Sequence, residues 1–116
     1  MKEIKAIVRP QRLPVLREKL RATPGFPGMT VSKAEGCSAP SLHGATNLKD
    51  DLTDYTPKVR IEIVAPDELA DELVDIIVRT GQTGQVGDGL VWVTDISRAV
   101  FMYKTTSLGS GRDGVR

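Results

Sequence analysis

The stretch Thr83-Gly84-Gln85-Val86-Gly87-Asp88-Gly89 rules out more architectures than any other part of the chain. Three glycines so close together cost too much backbone entropy for the interior of a helix or strand. An amphipathic run ends before them near Arg79, and the apolar run Leu90-Val91-Trp92-Val93 follows. The segment is therefore a loop that leads the chain from a helix into a strand. Glycines also let backbone N–H groups close on an anion such as a phosphate, since no Cβ holds the ligand away. The pattern is not a P-loop, because no Gly-Lys-Ser/Thr follows. Nor is it the dinucleotide fingerprint, which runs from strand to helix. A plain turn is the alternative reading.

The rest of the chain can be read around that loop. Ile4, Ala6 and Val8 alternate with Glu3, Lys5 and Arg9, which predicts a half-buried strand over 2–9, ended by Pro10. From Gln11 to Arg21, Leu13, Leu16 and Leu20 recur at helical spacing. A turn over Thr23–Gly28 precedes a second strand, Met29 to Glu35. Residues 37–56 are polar and aperiodic, with a short helical turn at most over Asn47–Leu52. Inside a compact domain a loop of that length is functional or disordered. Val59, Ile61 and Ile63 then alternate with Lys58, Arg60 and Glu62, a third strand. Asp67 is placed to cap a helix that runs to about Arg79, with Leu69, Leu73, Ile76 and Ile77 on one stripe. Leu90–Thr94 reads as a buried strand and Arg98–Lys104 as a last strand, with a flexible tail over 105–116.

The order β-α-β-loop-β-α-β-β gives an α+β fold. It is a ferredoxin-like split βαβ sandwich with an antiparallel sheet, a long loop between strands 2 and 3, and an extra C-terminal strand. Right-handed crossovers put both helices on one face of the sheet. Ile7 and Val64 have the parity to lie on the other face, which implies an oligomer that covers it.

Composition excludes several function classes. A chain of 116 residues fits one domain, 1–116. A net charge of +1 gives no electrostatic case for nucleic acid. No apolar run approaches the ~20 residues that span a bilayer, so no membrane insertion is expected. Glu3 and Arg9 break any secretory leader, and a single cysteine, Cys37, fits a reducing, cytoplasmic setting. Cys37 and His43 lie six apart in the long loop, with Asp50, Asp51 and Asp54 after them, and two such ligands read more readily as incidental than as a metal site. With one histidine and no nucleophile–base pair, catalysis is not expected either.

Thr83–Gly89 followed by an apolar strand resembles the B-loop of the PII signal-transduction proteins. Pro57-Lys58-Val59-Arg60-Ile61-Glu62-Ile63-Val64, with Pro66-Asp67 after it, resembles the PII strand that leaves the long T-loop. Met1–Pro10 and Gly28-Met29-Thr30-Val31 match in the same order along the chain. The resemblance implies a homotrimer whose sheets line the centre. It also implies an adenine nucleotide (ATP, ADP or AMP) held between subunits, and a T-loop, here residues 37–56, that signals to a regulated enzyme or membrane transporter. By position it assigns Gly87, Asp88 and Gly89 to the phosphates through the loop backbone. Thr30, Gly36, Glu62 and Val64 go to the adenine and the cleft floor, and Lys58 to the phosphate or the 2-oxoglutarate carboxylate.

The chain departs from that pattern where cations are needed. Leu90 stands where the family has a lysine after the last loop glycine, and Phe101 and Tyr103 stand where it has two phosphate-binding arginines. Charge-assisted contacts are the strong ones, so ATP should bind more weakly relative to ADP and AMP. The aromatic replacements offer stacking on a base instead. No counterpart exists around Ala39-Pro40 for the glutamine that helps hold Mg and 2-oxoglutarate, and the uridylylated tyrosine motif is missing. The resemblance therefore does not extend to Mg, to 2-oxoglutarate or to that modification. The remaining readings are a divergent sensor of another small ligand or metal linked to transport, and a small enzyme on the same scaffold.

Overall fold

The structure, a computed structural model, describes residues 1–37, 55–103 and 106–107. Strand β1 covers Lys2–Val8, a 3₁₀ turn Pro10–Arg12 and helix α1 Leu13–Arg21. Strands β2, Thr30–Gly36, and β3, Thr56–Ala65, precede helix α2, Asp67–Gly81. Strand β4 is Gly89–Asp95, and two short strands follow, β5 at Val100–Phe101 and β6 at Thr106–Ser107.

The main sheet has the order β2-β3-β1-β4, with every neighbouring pair antiparallel. This is the ferredoxin-like arrangement that the order of elements predicts. Register follows the alternation of apolar residues. Ile4 lies opposite Ile63 and Val93, and Ala6 opposite Ile61 and Val91, so one apolar row crosses three strands. A slip of one residue would turn that whole row to the other face. Leu16 and Leu20 of α1, and Ala70, Leu73 and Ile77 of α2, pack on it. Ile4, Leu16, Leu20, Ile61, Ile63 and Leu73 are fully buried. Burying each such side chain contributes roughly 2 kcal/mol.

Four local readings differ from the structure. Pro10 opens a 3₁₀ turn rather than only ending β1, because proline suits a first helical turn whose N–H is unpaired in any case. Pro66 occupies the position before α2, and Asp67 lies in its first turn without capping it. The Asp67 carboxylate instead accepts a hydrogen bond from the N-terminal amine of Met1, and that bond lowers its pKa. Strand β4 is not buried within the chain. It is a sheet edge, and Leu90, Trp92 and Val93 are exposed. A continuous apolar run reads as a strand covered on both sides, but here it belongs to an exposed sheet edge. The C-terminal strand is shorter than expected and pairs with β6 in a separate hairpin, so Thr106–Ser107 is part of a strand where a flexible tail was expected. The expected turn over Asn47–Leu52, and most of the 37–56 loop, lie outside the described residues.

Ile7 and Val64 lie on the sheet face opposite the helices and are partly exposed, as their parity predicts. Among the described residues no helix is long and apolar enough to cross a membrane.

Candidate functional site

The loop between α2 and β4 is built around one carboxylate. Asp88 accepts hydrogen bonds from the backbone N–H groups of Thr83 at 2.7 Å, Gly84 at 2.8 Å and Gln85 at 3.3 Å. It also accepts one from the Thr83 hydroxyl. Arg9, just past the end of β1, donates to Asp88 Oδ1 from Nε at 3.2 Å and to the Val86 carbonyl from Nη2 at 3.0 Å. The Asp88 N–H closes the turn on the Gln85 carbonyl. Aspartate does this readily because its short side chain reaches its own backbone neighbours.

Two consequences follow. The first is electrostatic. The Thr83 hydroxyl, the loop N–H groups and Arg9 all favour the ionised form and hold the Asp88 carboxyl well below the usual carboxylate range. A lowered folded-state pKa stabilises above the unfolded value near 3.8, and that stability is lost as pH falls through the folded value. The loop should therefore keep its amide protection at Thr83 and Gly84 down to the ordinary carboxylate pKa. Hydrogen exchange checks this. Asp88→Ala should accelerate exchange at both amides at neutral pH, and unchanged rates would show that the carboxylate does not hold the loop. The second consequence concerns donors. Among the described residues the N–H groups of Val86 and Gly87 have no acceptor, and Gly87 has φ +97°.

Lys58 is a second cation at that loop, beside Arg9. It is only 6% exposed, although its alternation with apolar residues reads equally well as a solvated strand face. Its Nζ donates to the Gly87 carbonyl, which ties β3 to the loop across β1. Burial, and the nearby Arg9 charge, lower its pKa from the ordinary 10.5, with Asp88 opposing the shift. Gly36 makes this path available. A Cβ there would lie 3.0 Å from Lys58 Cγ, so the missing side chain is the lane along which the lysine runs.

Thr30, Glu62 and Val64 come together elsewhere on the same sheet face. Thr30 pairs with Glu62 across β2 and β3. With Gly28, Met29 and Phe101 they line a cleft of about 300 Å³. Lys58 and Glu62 are four residues apart on one strand face, so the two clusters stand about 13 Å apart along β3. The eight residues singled out in the sequence thus fall into two groups: Lys58, Gly36 and the 87–89 turn at one end, and Thr30, Glu62 and Val64 at the other.

Gly89 has a structural reason of its own. Its φ is +122°, and a Cβ would sit 1.8 Å from the Ile7 carbonyl oxygen, so backbone approach requires glycine there. Sequence reasoning missed Arg9 as part of the loop and the Thr83 hydroxyl as a partner of Asp88. Arg9 reads as the end of a strand, 79 residues before its partner, and nothing local signals the pair. Phe101 lines the Thr30–Val64 cleft and packs against Tyr103 with ring centroids 5.7 Å apart. Cys37 is exposed, and His43 lies outside the described residues. The described residues hold no group of three or more metal-ligating side chains.

A basic side chain, two free amides and an aromatic-walled cleft suit a ligand with an anionic end and a flat ring. The chain matches a family model described as nitrogen regulatory protein P-II over residues 1–106. It is 44% identical over 103 residues to the nitrogen regulatory protein P-II 1 of Escherichia coli K12, covering 86% of this chain and 89% of the relative. It is 43% identical to the nitrogen regulatory protein P-II of Klebsiella oxytoca and 38% identical to that of Haemophilus influenzae, with the same coverage.

Proposed function

The chain belongs to the nitrogen regulatory protein P-II family of signal-transduction regulators, and on that premise we propose that it binds an adenine nucleotide between subunits and passes its state to a partner protein. The observation that carries this reading is the pairing of a buried lysine with a loop whose Val86 and Gly87 amides are free, at one end of a strand whose other end opens on an aromatic-walled cleft. Lys58 and the amides of the 86–87 turn would hold the phosphates. Thr30, Glu62, Val64 and Phe101 would border the base. When bound, the nucleotide supplies a charged, ordered ligand whose phosphate count the loop reads. The protein is a regulator rather than an enzyme in this reading, and it works in the cytoplasm.

The sheet face bearing Leu90, Trp92, Ile7 and Val64 would be covered in a homotrimer. Residues 37–56 would contact the regulated enzyme or transporter, changing order with the nucleotide, which makes the signal a population shift of one loop.

Calorimetric titration with ATP, ADP and AMP tests the reading. One site per chain for at least one nucleotide is the expected result, and no heat with any of them, confirmed by equilibrium dialysis, would sink it. Leu90 adds a sharper expectation. It is 65% exposed at the start of β4, beside the turn, and supplies no charge. Leu90→Lys should tighten ATP about tenfold, roughly 1.4 kcal/mol, with a smaller gain for AMP. An equal gain for both would place the added charge away from the terminal phosphates.

A further inference from the structure

The two helices present opposite charges on one surface. Exposed α1 carries Arg17, Lys19 and Arg21 against a single carboxylate, Glu18. Exposed α2 carries Asp67, Glu68, Asp71, Glu72 and Asp75 against a single cation, Arg79. Among the described residues no ion pair involves Arg17, Lys19, Arg21, Glu68, Asp71, Glu72 or Asp75. Acidic residues in the first turns of α2 suit its dipole, and Lys19 and Arg21 suit the end of α1. The dipole does not account for Asp75 or Arg17.

The helices are antiparallel and level. At one end Arg12 donates to the Thr80 carbonyl from Nε at 2.9 Å and from Nη2 at 2.6 Å. At the other end Leu69 lies 3.8 Å from where a Gly25 Cβ would be. Because both helices rise equally per residue, Val15 stands level with Val78 and Arg21 with Glu72, and Arg17 lies one residue's rise, about 1.5 Å, from the level of Asp75. Val15 and Val78 are themselves exposed, at 44% and 45%.

A surface with a positive half beside a negative half can complement itself. If a second copy faces this one across a two-fold axis parallel to the helices, each α1 lies over the partner's α2 at the same level. An axis perpendicular to the helices would instead stack like charges, so charge selects the first. We propose that this helix face is an isologous docking surface for a second copy of the chain. Arg17 and Arg21 of each copy meet the Asp75 and Glu72 carboxylates of the other, and Val15 meets Val78. Such a contact is self-complementary, as a two-fold interface must be. The helix face is opposite the sheet face, so this contact adds to any assembly formed through the sheet and does not compete with it. Exposed ion pairs are weak and screened, which makes the association sensitive to salt.

Sedimentation velocity of the full chain, at low and high salt, tests this together with two charge-reversal variants. Wild type should form a larger species at low salt and lose it at high salt. R17E/R21E and E72K/D75K should each lack that species, and an equimolar mixture of the two should regain it, because the four contact positions are then acidic on one protein and basic on the other. A wild type whose size is the same at every salt concentration would overturn the proposal and leave the face to another partner. So would a mixture that stays at the size of its components. Circular dichroism and nucleotide titration of each variant separate loss of this contact from loss of the fold or of the nucleotide site.

Discussion

Replacing Gly89 by alanine is expected to cost about 4 kcal/mol of stability, because a strained backbone and a steric clash fall on one atom. The φ of +122° lies where side chains are rarely tolerated, and the new Cβ would sit 1.8 Å from the Ile7 carbonyl oxygen. That oxygen belongs to the central strand of the sheet, paired on both sides, so it cannot retreat without breaking a ladder. β4 would have to lift away from β1 where Gly89 faces Val8. Gly84→Ala is the matched control. It also has a positive φ, +84°, but nothing lies within 4 Å of its Cβ, so its cost is backbone strain alone, about 1 kcal/mol. Urea denaturation of both variants reads the difference. A Gly89→Ala protein no less stable than Gly84→Ala would mean that β4 does not approach β1 as closely as described.

That contrast bears on how glycines are read in a sequence. Three glycines in Thr83–Gly89 signal a loop, but the signal does not distinguish the reasons. Gly84 and Gly87 turn the chain, while Gly89 lets one strand reach another. Only the last is a tertiary demand, and its cause is a residue more than eighty positions away. The fold itself was legible because the two periods, near two and near 3.6, change where the elements change, and because Ile4, Ala6, Val59, Ile61 and Ile63 alternate cleanly. β4 misled for the same reason, since its apolar run lacks alternation and so cannot say what covers it.

The site was legible only in part. Thr30, Glu62 and Val64 are grouped through the resemblance and not through periodicity, and the pairing of β2 with β3 sets Thr30 beside Glu62. The Arg9–Asp88 pair could not be grouped, because it depends on the end of β1 lying beside the start of β4. Lys58 was the hardest to weigh. Alternation puts it on a polar face, where lysine is usually solvated. Its burial arises from Gly36, whose missing Cβ opens a lane across the sheet, and no periodicity reports a lane.

Lys58→Met should weaken nucleotide binding about thirtyfold, roughly 2 kcal/mol, the worth of a hydrogen bond to a charged group in a sheltered site. The same change should leave stability level or slightly raised. Burial lowers the pKa of Lys58, so keeping it charged works against the fold at neutral pH, and methionine fills a similar space without charge. For a lysine whose folded pKa lies below the unfolded 10.5, the contribution to stability improves as pH rises through the folded value. Ligand linkage has the opposite sign. A phosphate beside Lys58 favours the protonated amine and raises its pKa, so binding takes up protons in the alkaline range and affinity falls as pH rises toward 10.5. Titration calorimetry in two alkaline buffers of different ionisation enthalpy measures that uptake directly. Wild type should show it and Lys58→Met should not. A thirtyfold loss with unchanged proton uptake would mean that the lysine supports the loop through the Gly87 carbonyl without touching the anion. No loss at all would remove Lys58 from the site and leave the Val86 and Gly87 amides as its anion donors.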